Sequence, residues 1–484
     1  MTLPAASTPL TLHEDRYFDA DPSVRRAARS IYDETRALPL VCPHGHVDPR
    51  LLADDSPFPE PTSLFLLPDH YILRMLHSRG VPLESLGVPR RDGAAVERDS
   101  RVIWQRFAEH YYLFTATPTQ AWLDYQLHEL FGVREMLSAA SAERIYDQIV
   151  ERLRTPEFRP RALYETFGIE VLATTDRATD SLAYHTVIRG TWPRGRVIPT
   201  FRPDALFAIA APEWQEELKA LEKLVGTCIE SADELVQALA KRRLAFKALG
   251  ATATDHGVEV PLTARLAPAD ADALFRRARQ GRATAEDQRA FEAHMLMEMA
   301  RLSLDDGLVM QLHAGSLRNH DAGLFERFGA DRGADIPVAT EYTRNLRPLL
   351  QAYGNDSRFT FIVFTLDESA YARELAPLAG HYPAMRLGPA WWFHDSIEGM
   401  TRFRRQTTET AGFYNTVGFN DDTRAFCSIP ARHDLARRVD ANFLGGLVAR
   451  HVIGLDDARR VGRALAYELA REAYRLDRRA GNQG

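Results

Sequence analysis

Lysine is nearly missing from this chain: of 60 basic residues only Lys219, Lys223, Lys241 and Lys247 are lysines. Only Lys247 falls near an apolar run that reads as a strand, and it stands at the start of that run. That is the wrong end for a carbamylated lysine bridging two ions, so a two-metal hydrolase site is disfavoured. Cysteine is scarce as well. Cys42, Cys228 and Cys427 are odd in number, far apart and outside any CxxC spacing. They suggest neither a disulfide framework nor a thiolate zinc site, read as structural, and fit a reducing cytosol. No run of 18 apolar residues occurs, which argues against a spanning helix. Residues 1–19 lack the basic start and apolar core of an export signal. A sustained basic stripe is absent too, the net charge of -6 arising from intermixed signs. Nucleic acid and membrane are therefore not the expected partners, and a small molecule is. Solenoid repeats and low-complexity tracts are lacking.

What is present is ordinary globular composition, 45% apolar and 26% charged over 484 residues, a length that one α/β barrel with insertions reaches. Eight short apolar runs recur, each followed by a longer helical pattern: 38–42, 169–174, 196–201, 246–251, 308–313, 359–365, 384–387 and 414–419. Eight strands alternating with helices predict an α/β fold, a closed parallel (β/α)8 barrel of the TIM type, with its chemistry at the C-terminal strand ends. Polar residues stand there: His44-Gly45-His46, Thr174-Thr175-Asp176, Arg202-Pro203-Asp204, Asp255-His256, His313, Asp367, Trp391-Trp392-Phe393-His394-Asp395 and Asp421-Asp422-Thr423-Arg424. Residues 1–484 read as one such domain. Within it, 50–165 forms an α-helical insertion after the first strand, with helical periodicity at 63–80, 100–114 and 141–154, placed as a lid over the barrel mouth. Helical patterns are also expected at 270–301 and 455–474, and the last residues are expected to fray.

Residues i and i+2 of a strand share a face about 7 Å apart, so His44 and His46 can bring two imidazoles to one ion. His313 follows Val309 and Gln311 in alternation. With Asp422 these three histidines give the N3O set that a mononuclear Zn²⁺ accepts, the alternative for His313 being a hydrogen-bonded core histidine. Arg202 ends the alternation Ile198, Thr200, Arg202, and Arg424 follows Asp422 by two. A guanidinium fork matches a carboxylate, so an acidic substrate is inferred, with pairing of Arg202 to Asp204 as the structural alternative. Asp69 reads as a helix N-cap. Behind it, His70 and Tyr71 deliver an imidazole and a phenol able to trade protons at the barrel mouth. Trp391 and Trp392 either offer faces to a sugar ring or pack.

Together these motifs resemble the uronate (glucuronate) isomerase family of the amidohydrolase superfamily. Added to them are Asp69-His70-Tyr71, Leu317-Arg318-Asn319, Gly388-Pro389-Ala390 and Arg432-His433, so that the likeness spans roughly 18–438. The resemblance implies an amidohydrolase-type barrel and an aldose-ketose isomerase, an intramolecular oxidoreductase. It would interconvert D-glucuronate with D-fructuronate, and D-galacturonate with D-tagaturonate, in hexuronate breakdown. It further implies a divalent ion, usually zinc, on His44, His46 and Asp422 with His313 close by, and uronate contacts from His70, Tyr71, Arg202 and Arg424. A cytoplasmic homo-oligomer is the family-level expectation. Asp422 and Tyr71 are expected to share the acid and base duties. The alternative is a mononuclear-metal hydrolase of a small acidic substrate, since fold does not fix reaction.

Overall fold

The computed structural model describes residues 8–477. The fraying expected at the C-terminus falls outside the described residues. A ring of parallel strands forms the centre. β1 (Leu40–Cys42) pairs with β2 (Ile169–Ala173), and β2 with β3 (Val197–Ile198). The same two staves run on as Asp176–Arg177 against Phe201–Arg202, joined through backbone bonds of 3.0 Å between Thr174 and Ile198 and between Thr200 and Thr174. Phe201 then pairs with Thr254 of β4 (Ala253–Val258), and the ladder continues through β5 (Val309–Ala314), β6 (Phe361–Thr365) and β7 (Met385–Leu387).

The eighth position, 414–419, holds a parallel bridge between Leu387 and Thr416 instead of a full strand. The ring closes where the His46 N–H donates to the Thr423 carbonyl at 3.0 Å. The predicted barrel is thus present, with a thin seam between its eighth and first staves.

The predicted fourth strand is misplaced. Residues 246–248 are the last turn of the helix Ala232–Ala248, and the strand is Ala253–Val258. This helix buries Leu235, Val236, Leu239, Arg242, Arg243 and Phe246 and exposes Asp233, Glu234, Gln237 and Lys241, but past Lys241 its outward positions are Leu244 and Ala248, so its end reads as an apolar run. Its start carries a capping box, with Ser231 and Glu234 bonded reciprocally to each other's backbone N–H. Lys247 lies in that last turn and donates to the Asp306 carbonyl, far from any bridging role.

Between β1 and β2 run helices that include Pro61–Phe65, His70–His77, Ser100–Glu109, Pro118–Tyr125 and Ala142–Leu153. Their apolar faces, among them Phe65, Trp104, Phe107 and Ile149, share one core with Leu40, Cys42 and Leu172 of the barrel. Asp69 caps His70–His77 by accepting from the Tyr71 N–H at 2.8 Å. At the other end of the barrel the Tyr474 hydroxyl donates to Gln311 Oε1 at 2.8 Å, both side chains being buried, so the C-terminal segment plugs the bottom. Among the described residues no helix is long and apolar enough to cross a membrane.

The helix Ile429–Ala449, which follows the eighth stave, packs on Pro22–Thr35. A Cβ added at Gly445 would stand 2.8 Å from the Val24 carbonyl and 2.9 Å from the Ala28 nitrogen, both backbone atoms unable to step aside. Gly445→Ala is therefore expected to destabilise the fold by about 1–3 kcal/mol, seen as a lower urea midpoint at unchanged slope. An unchanged midpoint would contradict this packing.

Candidate active site

A cavity of about 460 Å³ opens at the C-terminal strand ends. His44, His46, His70, Tyr71, Arg202, His313, Trp391, Asp422 and Arg424, the residues singled out in the sequence, all line it. The cause is topological: polar residues just past each parallel strand are carried to one face of the ring. Asp422, Asn319 and Asp331 on its wall have positive φ, +39° for Asp422. Such backbone costs about 1–3 kcal/mol and is tolerated where it aims a side chain.

Asp422 Oδ1 lies 3.4 Å from His44 Nε2 and 3.2 Å from His46 Nε2. Despite this closeness it is buried without a well-aligned hydrogen bond. Donors at 2.0–2.1 Å from a tetrahedral zinc stand about 3.3–3.4 Å apart, so the three side chains fit a divalent cation. The other carboxylate oxygen, Oδ2, accepts from the Trp391 indole N–H. Trp391, read as either a sugar platform or a packing residue, thus spends its polar edge fixing Asp422, and its ring packs edge-on to His313 at 4.6 Å.

His313 stacks on His44 with ring centroids 4.5 Å apart and bonds Asp255 Oδ1 through Nδ1 at 2.6 Å, leaving Nε2 buried without a partner. Its donor atoms group with those of His44 and Asp255, while His46 and Asp422 form the other group around His44. Burial holds the His313 imidazole down at about 4, against the pull of Asp255, so it is neutral near pH 7.

Arg202 is held on two sides, Nε to Asp204 at 2.7 Å and Nη1 to Asp255 at 3.2 Å. The pairing with Asp204 weighed in the sequence is present, and Asp255 joins it. Arg424 has a looser arrangement: it meets Asp331 at 3.0 Å with both side chains about 40% exposed. His70 sits between, its ring 4.9 Å from Trp392. Burial, helped by the nearby Arg424 charge, pushes it down to about 3, which makes it a neutral imidazole.

Tyr71 is the most tightly set. Its hydroxyl donates to Asp395 Oδ1 at 2.7 Å and accepts from the Phe393 N–H at 2.8 Å. Burial and the Asp395 carboxylate raise the phenol well above its ordinary value, so it stays protonated. Asp395 Oδ2 in turn accepts from Arg432 at 2.9 Å, and that guanidinium lies 3.6 Å over the Trp122 ring. Asp395 and Asp255 stood in the strand-end motifs, and Arg432 in the family motif Arg432-His433, without a role. The clue was their position in those motifs; their partners, from 37 to 324 residues away, gave none.

Known proteins supply an independent comparison. A family model described as glucuronate isomerase matches residues 19–474. The uronate isomerase of Phenylobacterium zucineum is 54% identical over 97% of this chain and 98% of its own. That of Nostoc punctiforme is 55% identical over 96% and 98%. The crystal structure of glucuronate isomerase from Caulobacter crescentus superposes with a TM-score of 0.95 at 50% identity, covering 97% of this chain and 98% of the other. The hydrolase alternative is accordingly not favoured, and the chain belongs to the glucuronate isomerase family of aldose-ketose isomerases.

Proposed function

We propose that this enzyme interconverts D-glucuronate with D-fructuronate, and D-galacturonate with D-tagaturonate, through an enediol. The observation that carries the reading is the pairing of an anionic carboxylate with a protonated phenol on one polar cavity. Asp422 faces two imidazoles and an indole N–H, while Tyr71 is kept protonated by burial beside Asp395. Moving a carbonyl from C1 to C2 needs one group to take the C2 proton and another to supply a proton to oxygen. Asp422 takes the first role. Tyr71 takes the second, with Asp395 and Arg432 setting the direction of its hydroxyl. His70, neutral, donates to a sugar oxygen and stabilises charge on the enediolate.

Arg424 grips the substrate carboxylate, since it has one half-exposed partner to exchange, whereas Arg202 would have to leave two carboxylates, the buried Asp255 and the half-buried Asp204. Arg202 contributes its charge to the wall behind the substrate. His44, His46 and Asp422 would hold a divalent ion, proposed as zinc with His313 beside it, and its Lewis acidity would polarise sugar oxygens. The three thiols, Cys42 and Cys427 buried and Cys228 exposed, are unpaired and suit a reducing cytosol.

The test is a substrate panel in which each uronate is offered beside neutral hexoses, amides and lactones. Ketose formation from the uronates alone is expected. Turnover of an amide or lactone with none of either uronate would overturn the reading.

A further inference from the structure

Directly behind the cavity lies a second cluster that the isomerase reading does not use. Cys42 stands two residues before His44, and Asp421, itself on the cavity wall, is the neighbour of Asp422, so the same two segments carry both donor groups. Cys42 Sγ lies 3.7 Å from His433 Nε2, and Asp421 Oδ2 lies 3.2 Å from that same nitrogen. All three side chains are buried, and their donor atoms fall within 4.8 Å of one another.

We propose that Cys42, Asp421 and His433 form a second, buried site for a divalent cation of the zinc class. Tetrahedral zinc with a sulfur at about 2.3 Å and nitrogen or oxygen at about 2.0 Å sets S–N near 3.5 Å and N–O near 3.3 Å. Both observed separations sit close to these. The alternative is a hydrogen-bonded trio in which the Cys42 thiol and the His433 ring each give a proton to Asp421, and the metal count separates the two. Asp421 Oδ1 is also buried without a partner and can close the set as a second carboxylate oxygen. A thiolate and a carboxylate together cancel the charge of the ion, as a buried site requires. Two guanidiniums lie nearby: Arg437 directs its Nη groups to the carbonyls of Arg36 and Pro39, and Arg432 directs Nη1 to the Asp421 carbonyl at 3.3 Å and to Asp395. Such an ion would cross-link the first and eighth staves at the seam where His46 N–H meets the Thr423 carbonyl, bracing the segments that carry His44, His46 and Asp422.

The full-length protein, produced in cobalt-supplemented medium low in zinc, tests this. Two cobalt ions per chain are expected, with an intense near-ultraviolet thiolate-to-cobalt charge-transfer band that nitrogen and oxygen donors cannot give. Cys42→Ser should lose the band and one ion. His46→Asn, altering the other donor group, should keep the band, which separates this site from the isomerase site whatever the activity. His433→Asn gives a second way to lose it should the serine variant fail to fold. Cobalt at one equivalent or less without the band, or a band that survives in Cys42→Ser, would overturn the proposal.

Discussion

Replacing Asp422 by asparagine is expected to lower kcat by at least about a hundredfold, the usual minimum for removing a proton-transfer group. The substitution keeps the shape of the side chain but not its basicity or its charge. An amide cannot take the C2 proton, and its NH2 would compete with the indole N–H of Trp391 or with the imidazole nitrogens of His44 and His46, all of which crowd the present carboxylate. The same change weakens the cation donor set, so the metal content of the variant should be measured beside its kinetics. A variant that turns over uronates at close to the normal rate would remove Asp422 from the chemistry.

Tyr71→Phe is expected to lower kcat by about 10²–10⁴-fold, because the enediolate loses its proton donor. The ring keeps its packing against Trp122 and Phe393, with centroids 5.8 and 6.0 Å away, so the cavity wall should persist. The Phe393 N–H loses its acceptor, and a stability cost of about 1–3 kcal/mol is expected where that group stays dry. Asp395 keeps Arg432. Asp395→Asn provides the companion measurement: it leaves the phenol in place and alters what orients it, together with the charge partner of Arg432, so a smaller fall in kcat is expected than in Tyr71→Phe. Near-normal kcat in Tyr71→Phe would contradict the donor role.

Local patterns reached far into this fold. The period-two alternation of Val309, Gln311 and His313 placed His313 on the inner face, and the same rule joined His44 to His46. Strand-end polarity collected the cavity wall because a parallel barrel brings all those ends to one side. Apolar residues on the outward side defeated the pattern at 246–251, where the helix exposes Leu244 and Ala248 instead of polar side chains and so looks like a strand. Long-range partners were illegible for a different reason. Tyr71 meets Asp395 across 324 positions, and Arg202 finds Asp255 only because β3 and β4 are neighbours. Neither contact leaves a spacing to read. The seam at the eighth stave was hidden likewise, since 414–419 has a strand's composition but makes only a bridge. Cys42 shows the cost of reading residues singly: alone it is one more buried thiol, and beside Asp421 and His433 it is a candidate ligand.

The measurement that tests the central claim most directly is proton NMR of D-glucuronate, and separately D-galacturonate, incubated with the metal-analysed enzyme in D₂O. The Asp422 side chain keeps 16% of its surface accessible, so a proton held there can exchange with solvent before it is returned. The account predicts the 2-ketose carrying solvent deuterium at C1, with deuterium also entering C2 of the recovered aldose. Ketose protiated throughout would contradict transfer through a carboxylate in contact with solvent, and no ketose from either sugar with metal bound would contradict the isomerase itself.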